Sequence, residues 1–161
     1  MFDRKFTVGK DIRPEDINDF YYTKDGSSYP PYFQRFRFYV EEGKHVFYHE
    51  KREGDHWPLR ESDKTEYGTM ELNDDEWAAF FEYLKEGTVK ARDEEVVDGD
   101  SGPWMYLYWT NDKDKYQEFS FSSYGLRLKF EEFCETLKKN ERKSNKNKGL
   151  LKSVFSKKSH D

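Results

Sequence analysis

Phe, Tyr and Trp supply 30 of the 161 residues in this chain, while Leu, Ile and Val together supply 18. Rings therefore have to fill the space that branched aliphatics fill in most domains. Leu, Ile, Val and Phe together number 32, close to the roughly 20% level below which charged chains tend toward disorder. Each aromatic side chain, however, brings about 150–250 Å² of buriable surface. Folding around an aromatic core is the expectation. No run approaches the roughly eighteen consecutive apolar residues of a membrane-spanning helix. The opening Met1-Phe2-Asp3-Arg4-Lys5 lacks the apolar stretch of a signal peptide, and Cys134 has no second cysteine to pair with. A cytoplasmic protein is expected.

Charge is split along the chain. Residues 1–137 hold 19 Lys/Arg and 31 Asp/Glu, a net charge of −12, whereas residues 138–161 hold 9 and 2, a net charge of +7. This division predicts one α+β domain over 1–140 and a basic tail over 141–161 that is disordered in isolation. The tail contains a short amphipathic segment, 149–158. On a helix, Leu150, Leu151, Val154 and Phe155 fall within an arc of about 140°. Lys158 lies inside that arc, and barely three turns do not hold a helix alone. An anionic membrane would attract the tail's cations, and Lys152 and Lys157 join the four apolar residues as candidate contacts to it or to a partner. The blander reading is a solvated tail, or one folded back on its own acidic body.

Local patterns predict the elements. Residues 5–8 read as a short strand and Pro14 to Phe20 as a helical turn. The run Thr23-Lys24-Asp25-Gly26-Ser27-Ser28-Tyr29-Pro30-Pro31 reads as a loop. Phe33 to Glu41 alternates, with Phe36, Phe38 and Val40 opposite Arg35, Arg37 and Tyr39; Glu42-Gly43 turns the chain into a second strand over 44–51. Residues 52–65 are polar and irregular, and a third strand follows over 66–72. Asn73 is a good N-cap, with Glu76 completing a capping box and Leu72 and Trp77 placed as a hydrophobic staple. Trp77, Phe80, Phe81 and Leu84 then recur at helical spacing, and Gly87 ends a helix begun at residue 74. Residues 88–92, 104–110 and 116–121 read as strands. A last helix is predicted over 127–139 with Phe130, Phe133, Cys134 and Leu137 inward. The sum is an α+β fold: an antiparallel sheet of about five to seven strands with two main helices on one face, plus the basic tail.

The Asn73-Asp74-Asp75-Glu76-Trp77 helix start, Asp98-Gly99-Asp100-Ser101-Gly102-Pro103-Trp104, Phe119-Ser120-Phe121 and Phe130-Glu131-Glu132-Phe133 resemble small uncharacterised bacterial cytosolic α+β proteins. The resemblance covers about residues 5–137 and implies no known activity.

Few constellations carry chemistry. His45 and His49 on one strand stand roughly 13 Å apart at about 3.3 Å per residue, too far for one ion. His49, Glu50, Asp55, His56 and Trp57 crowd a long polar loop and form the candidate polar site, able to supply an acid, a base or metal ligands if the loop folds back. Asp93, Glu94, Glu95, Asp98 and Asp100 suggest calcium. Counted from Asp98, though, Pro103 and Trp109 stand where the twelve-residue loop needs Gly and Glu. Phosphate loops, serine elbows and His-Glu-x-x-His are absent, so no catalytic residue, metal ligand or cofactor is assigned. Cys134 reads as a core residue.

The leading expectation is thus a non-catalytic intracellular binding or regulatory protein. It would meet a protein partner through an acidic, aromatic surface, as an immunity-type inhibitor does. The alternatives are a small enzyme or metal-binding protein centred on 49–56, and peripheral association with an anionic membrane through the tail. Duplex nucleic acid is disfavoured, because the acidic body opposes its phosphates.

Overall fold

The computed structural model describes residues 4–27, 29–91, 104–109 and 117–159, with side chains described to residue 141. Its strands are β1 (Arg4–Thr7), β2 (Ile17–Gly26), β3 (Tyr32–Glu41), β4 (Lys44–Glu53), β5 (Lys64–Leu72), β6 (Thr88–Ala91), β7 (Trp104–Trp109) and β8 (Gln117–Ser120). Its helices are α1 (Val8–Asp11), α2 (Asp74–Leu84) and α3 (Tyr124–Ser159). All eight strands join one antiparallel sheet in the order β1-β6-β8-β7-β2-β3-β4-β5. The sheet is larger than the five to seven strands expected.

The β3–β4 hairpin follows from its sequence. Alternation puts Phe36, Phe38 and Phe47 in the core. The two-residue turn has Glu42 at φ 52° and Gly43 at φ 76°, the positive values that match the twist of the strands it joins. At the start of α2, Asn73 Oδ1 accepts from the Glu76 N–H at 2.8 Å and Glu76 Oε1 accepts from the Asn73 N–H at 2.9 Å. That reciprocal pair satisfies two donors the first turn cannot bond internally. Leu72 and Trp77 on either side of the cap are both buried.

The core is a stack of rings between the sheet and two helices. Phe38 lies parallel to Phe80 of α2 at 4.2 Å between centroids, and meets Phe130 of α3 at 5.8 Å. Phe20 touches the same two rings at 5.7 Å each, and Phe119 edge-on at 5.3 Å. Since α2 and α3 pack against the same rings of β2 and β3, both lie on one face of the sheet. Each such pair adds about 0.5–1.5 kcal/mol beyond the area it buries. A chain poor in aliphatics builds a dense core in this way.

Three expectations are corrected. The helical turn at 14–20 is a single 3-10 turn at Pro14–Asp16, and Ile17 already begins β2. The 23–26 stretch read as loop is the end of that strand: Thr23, Lys24, Asp25 and Gly26 pair with Arg35, Gln34, Phe33 and Tyr32. Pairing with β3 along the whole stretch, and with β7 as far as Thr23, overrides the turn preference of Asp and Gly. The last helix starts at Tyr124 and runs to Ser159, well past the Lys139 end expected for it.

Candidate functional site

Successive strand residues point to opposite faces, so the pairing register decides which side chains share the face turned away from α2 and α3. One cross-strand row on that open face is Tyr108, Asp19, Tyr39 and Val46; the next is Tyr106, Tyr21, Arg37 and Tyr48. A third contains Thr23, Arg35, Glu50 and Tyr67, and a fourth Asp25, Phe33 and Arg52. Seven aromatic rings and three arginines thus occupy the middle of a broad sheet. Most are half-buried by one another; Tyr67 is 67% exposed.

The arginines lie flat on the rings. Arg37 stands over Tyr39 at 4.1 Å and Tyr21 at 4.9 Å. Arg35 stands 5.2 Å from both Tyr21 and Phe33, and Arg52 4.2 Å from Phe33. Such contacts contribute about 0.5–1 kcal/mol when exposed and more when desolvated. Carboxylates tie two of the three down. Asp19 accepts from Arg37 Nε at 3.0 Å and again from its terminal nitrogen, while Arg52 donates to Glu50 at 2.8 Å and to Glu61 at 2.9 Å. Lys64 bonds Glu61 and approaches Glu50 at 4.0 Å. Glu50, only 3% exposed, is a buried charge made tolerable by these cations. Burial raises the Tyr39 and Tyr48 hydroxyls above the ordinary tyrosine value, so they stay protonated donors.

At one end of the sheet this face adjoins a cleft of about 630 Å³ lined by Lys24, Pro30, Pro31, Tyr32, Phe33, Gln34, Lys51, Arg52, Glu53 and Gly54. Of these, Tyr32 is largely exposed and Phe33 is shared with the open face.

The residues expected to form a polar site are not brought together. His49 points toward the helices and is buried, its Nε2 3.0 Å from Glu141 Oε2 of α3 and its Nδ1 3.9 Å from Glu66. Glu50, the next residue, points to the open face. Asp55, His56 and Trp57 lie in the exposed connection to β5, where His56 Nε2 meets Asp63 at 2.8 Å and its Nδ1 meets Asp55 at 3.4 Å. Those bonds raise the His56 pKa, that to Asp63 first. His45 stacks on Trp77 at 4.1 Å. Among the described residues no group of three or more His, Cys, Asp and Glu is placed to hold a metal ion. Cys134 is fully buried, and burial raises its thiol well above the usual value, opposite to what a nucleophile requires.

The acidic stretch 93–100 lies outside the described residues. So do the side chains of Leu150, Leu151, Lys152, Val154, Phe155 and Lys157; the backbone there continues α3. Among the described residues no helix is long and apolar enough to cross a membrane. The open face itself was half legible. Alternation in β3 already set Arg35, Arg37 and Tyr39 on one side. Their neighbour Tyr21 joins them through β2, whose far end reads as a loop in the sequence. The chain matches no protein-family model, and comparisons with curated proteins and with solved structures find no match.

Proposed function

We propose that this protein is a non-catalytic binding protein whose open sheet face receives a protein partner. The observation that carries the reading is the interleaving of Tyr21, Tyr39, Tyr48, Tyr106 and Tyr108 with Arg35, Arg37 and Arg52 on the face opposite the helices. Tyr and Arg are the residues interface cores favour, and Tyr supplies large contact area with little side-chain entropy to lose. Five strands about 4.8 Å apart and four same-face rows about 6.7 Å apart span roughly 400 Å² between their outermost positions. That is of the order of the 800 Å² per partner of an ordinary specific interface. On this face Asp19 and Glu50 are matched by arginines, while Glu71 at its β5 edge is exposed.

The test compares capture of partners from native lysate by three immobilised proteins. These are the wild type, Tyr21→Ser with Tyr48→Ser on the open face, and Glu82→Ala with Lys139→Ala on the exposed sides of α2 and α3. The expected result is a discrete protein retained by the wild type and the helix-side variant but lost from the open-face variant. Equal retention by all three overturns the reading.

A further inference from the structure

We infer that Arg35 is a preorganised fork for a carboxylate, and that the partner presents an acidic segment to it. The inference rests on the open face being the binding surface. Arg35, Arg52 and Lys64 surround two carboxylates, Glu50 and Glu61. Glu50 stands directly across from Arg35 in the β3–β4 register, yet its carboxylate goes to Arg52 at 2.8 Å, with Lys64 at 4.0 Å. Glu61 is taken by Arg52 at 2.9 Å and by Lys64. Its carboxyl is held low mainly by the Lys64 bond, with only a smaller pull from Arg35. Arg37 is neutralised by Asp19. Among the described residues Arg35 is therefore the one arginine of this face without a carboxylate of its own.

Its geometry suits a planar anion. The Nε–H donates to Thr23 Oγ1 at 3.1 Å, and the guanidinium is held over Tyr21 and Phe33 at 5.2 Å each. Anchoring Nε leaves the two terminal nitrogens as the donors, spaced to meet both oxygens of a carboxylate. Because rings and Thr23 already hold the side chain, little freedom remains to be lost on binding. Lys24 and Lys51, which line the cleft beyond Phe33, alternate to the helix side of the sheet, where Lys24 pairs with Glu131 of α3 and Lys51 with Glu53, so the open-face cation offered to a ligand is Arg35 itself. A carboxylate of an acidic partner segment, rather than a cation, matches the guanidinium of Arg35.

The probe is an acetylated tetraglutamate amide titrated into the 15N-labelled full chain, with the arginine Nε–H signals observed. A saturable shift is expected at Arg35, several-fold larger than at Arg37 or Arg52, and binding at least tenfold weaker in Arg35→Gln with an otherwise unchanged amide spectrum. Should that variant fold poorly, the comparison among the three arginines in the wild type decides alone. Equal shifts at all three, no saturation, or tighter binding of inorganic phosphate than of the peptide overturns the assignment. If Arg35 stays silent while open-face variants still lose a protein partner, the carboxylate assignment falls and the binding face stands.

Discussion

Glu141 Oε2 lies 3.0 Å from His49 Nε2, and the two side chains, from α3 and β4, are both buried. Beneath them runs Gly68 of β5. A Cβ there would stand 2.1 Å from Glu141 Oε1 and 3.0 Å from His49 Nε2. Lys138, one turn earlier on α3, bonds Glu66 of the same strand. This junction fastens α3 over the sheet edge while the opposite face is left to the arginine and tyrosine rows.

Gly68→Ala should expel the Glu141 carboxylate from its seat. Losing a buried, charge-assisted hydrogen bond costs about 1–3 kcal/mol, readable as a lower urea midpoint with unchanged slope. Glu141→Ala should cost a similar amount, and the double variant less than the sum, because both changes break one contact. Additive losses would show that Gly68 and Glu141 act separately.

Trp77→Ala should destabilise the domain by about 3–5 kcal/mol, the range for large aromatic truncations in cores. Trp77 is 3% exposed, stacks on His45 at 4.1 Å and donates its indole N–H to Pro14 O at 3.2 Å. A thermal midpoint equal to wild type would contradict the packing of α2 described above.

The connection at 55–63 should respond to pH through His56 and Asp63. The Asp63 bond raises His56 above its ordinary value of about 6.5. Its contribution is then full below that value and fades as the pH rises through the raised one. Asp63 is lowered first by the Arg60 backbone N–H and then by His56. Its contribution is present above the ordinary carboxylate range and fades as the pH falls through the lowered value. The turn is tightest between the two. An NMR titration should show His56 above its usual pKa, and Asp63→Asn should bring it back; an unshifted wild-type His56 would contradict the contact.

Cys134 should resist thiol reagents in the folded protein and react fully in denaturant, since it is 0% exposed and its thiol is raised by burial. Rapid labelling of the native protein would place it elsewhere.

The sequence makes legible what near neighbours in it determine. The capping box of α2 lies within four residues, and the β3–β4 hairpin carries its own alternation and turn. Strand β2 was illegible because Thr23-Lys24-Asp25-Gly26 prefer turns, and only pairing with β3 makes them a strand. His49 stands out in the sequence, but its partner Glu141 lies 92 residues away, beyond the reach of any local pattern. For the same reason the expected grouping of His49 with Glu50 and His56 dissolved once the alternation of β4 sent the first two to opposite faces.

Docking of a protein partner on the open sheet face is read out by site-specific photocrosslinking in cells. A benzoylphenylalanine is placed either at Tyr39, on that face, or at Glu132, on the exposed side of α3. A discrete protein adduct is expected from position 39 and none from position 132. An adduct from position 132 alone would contradict docking on the open face.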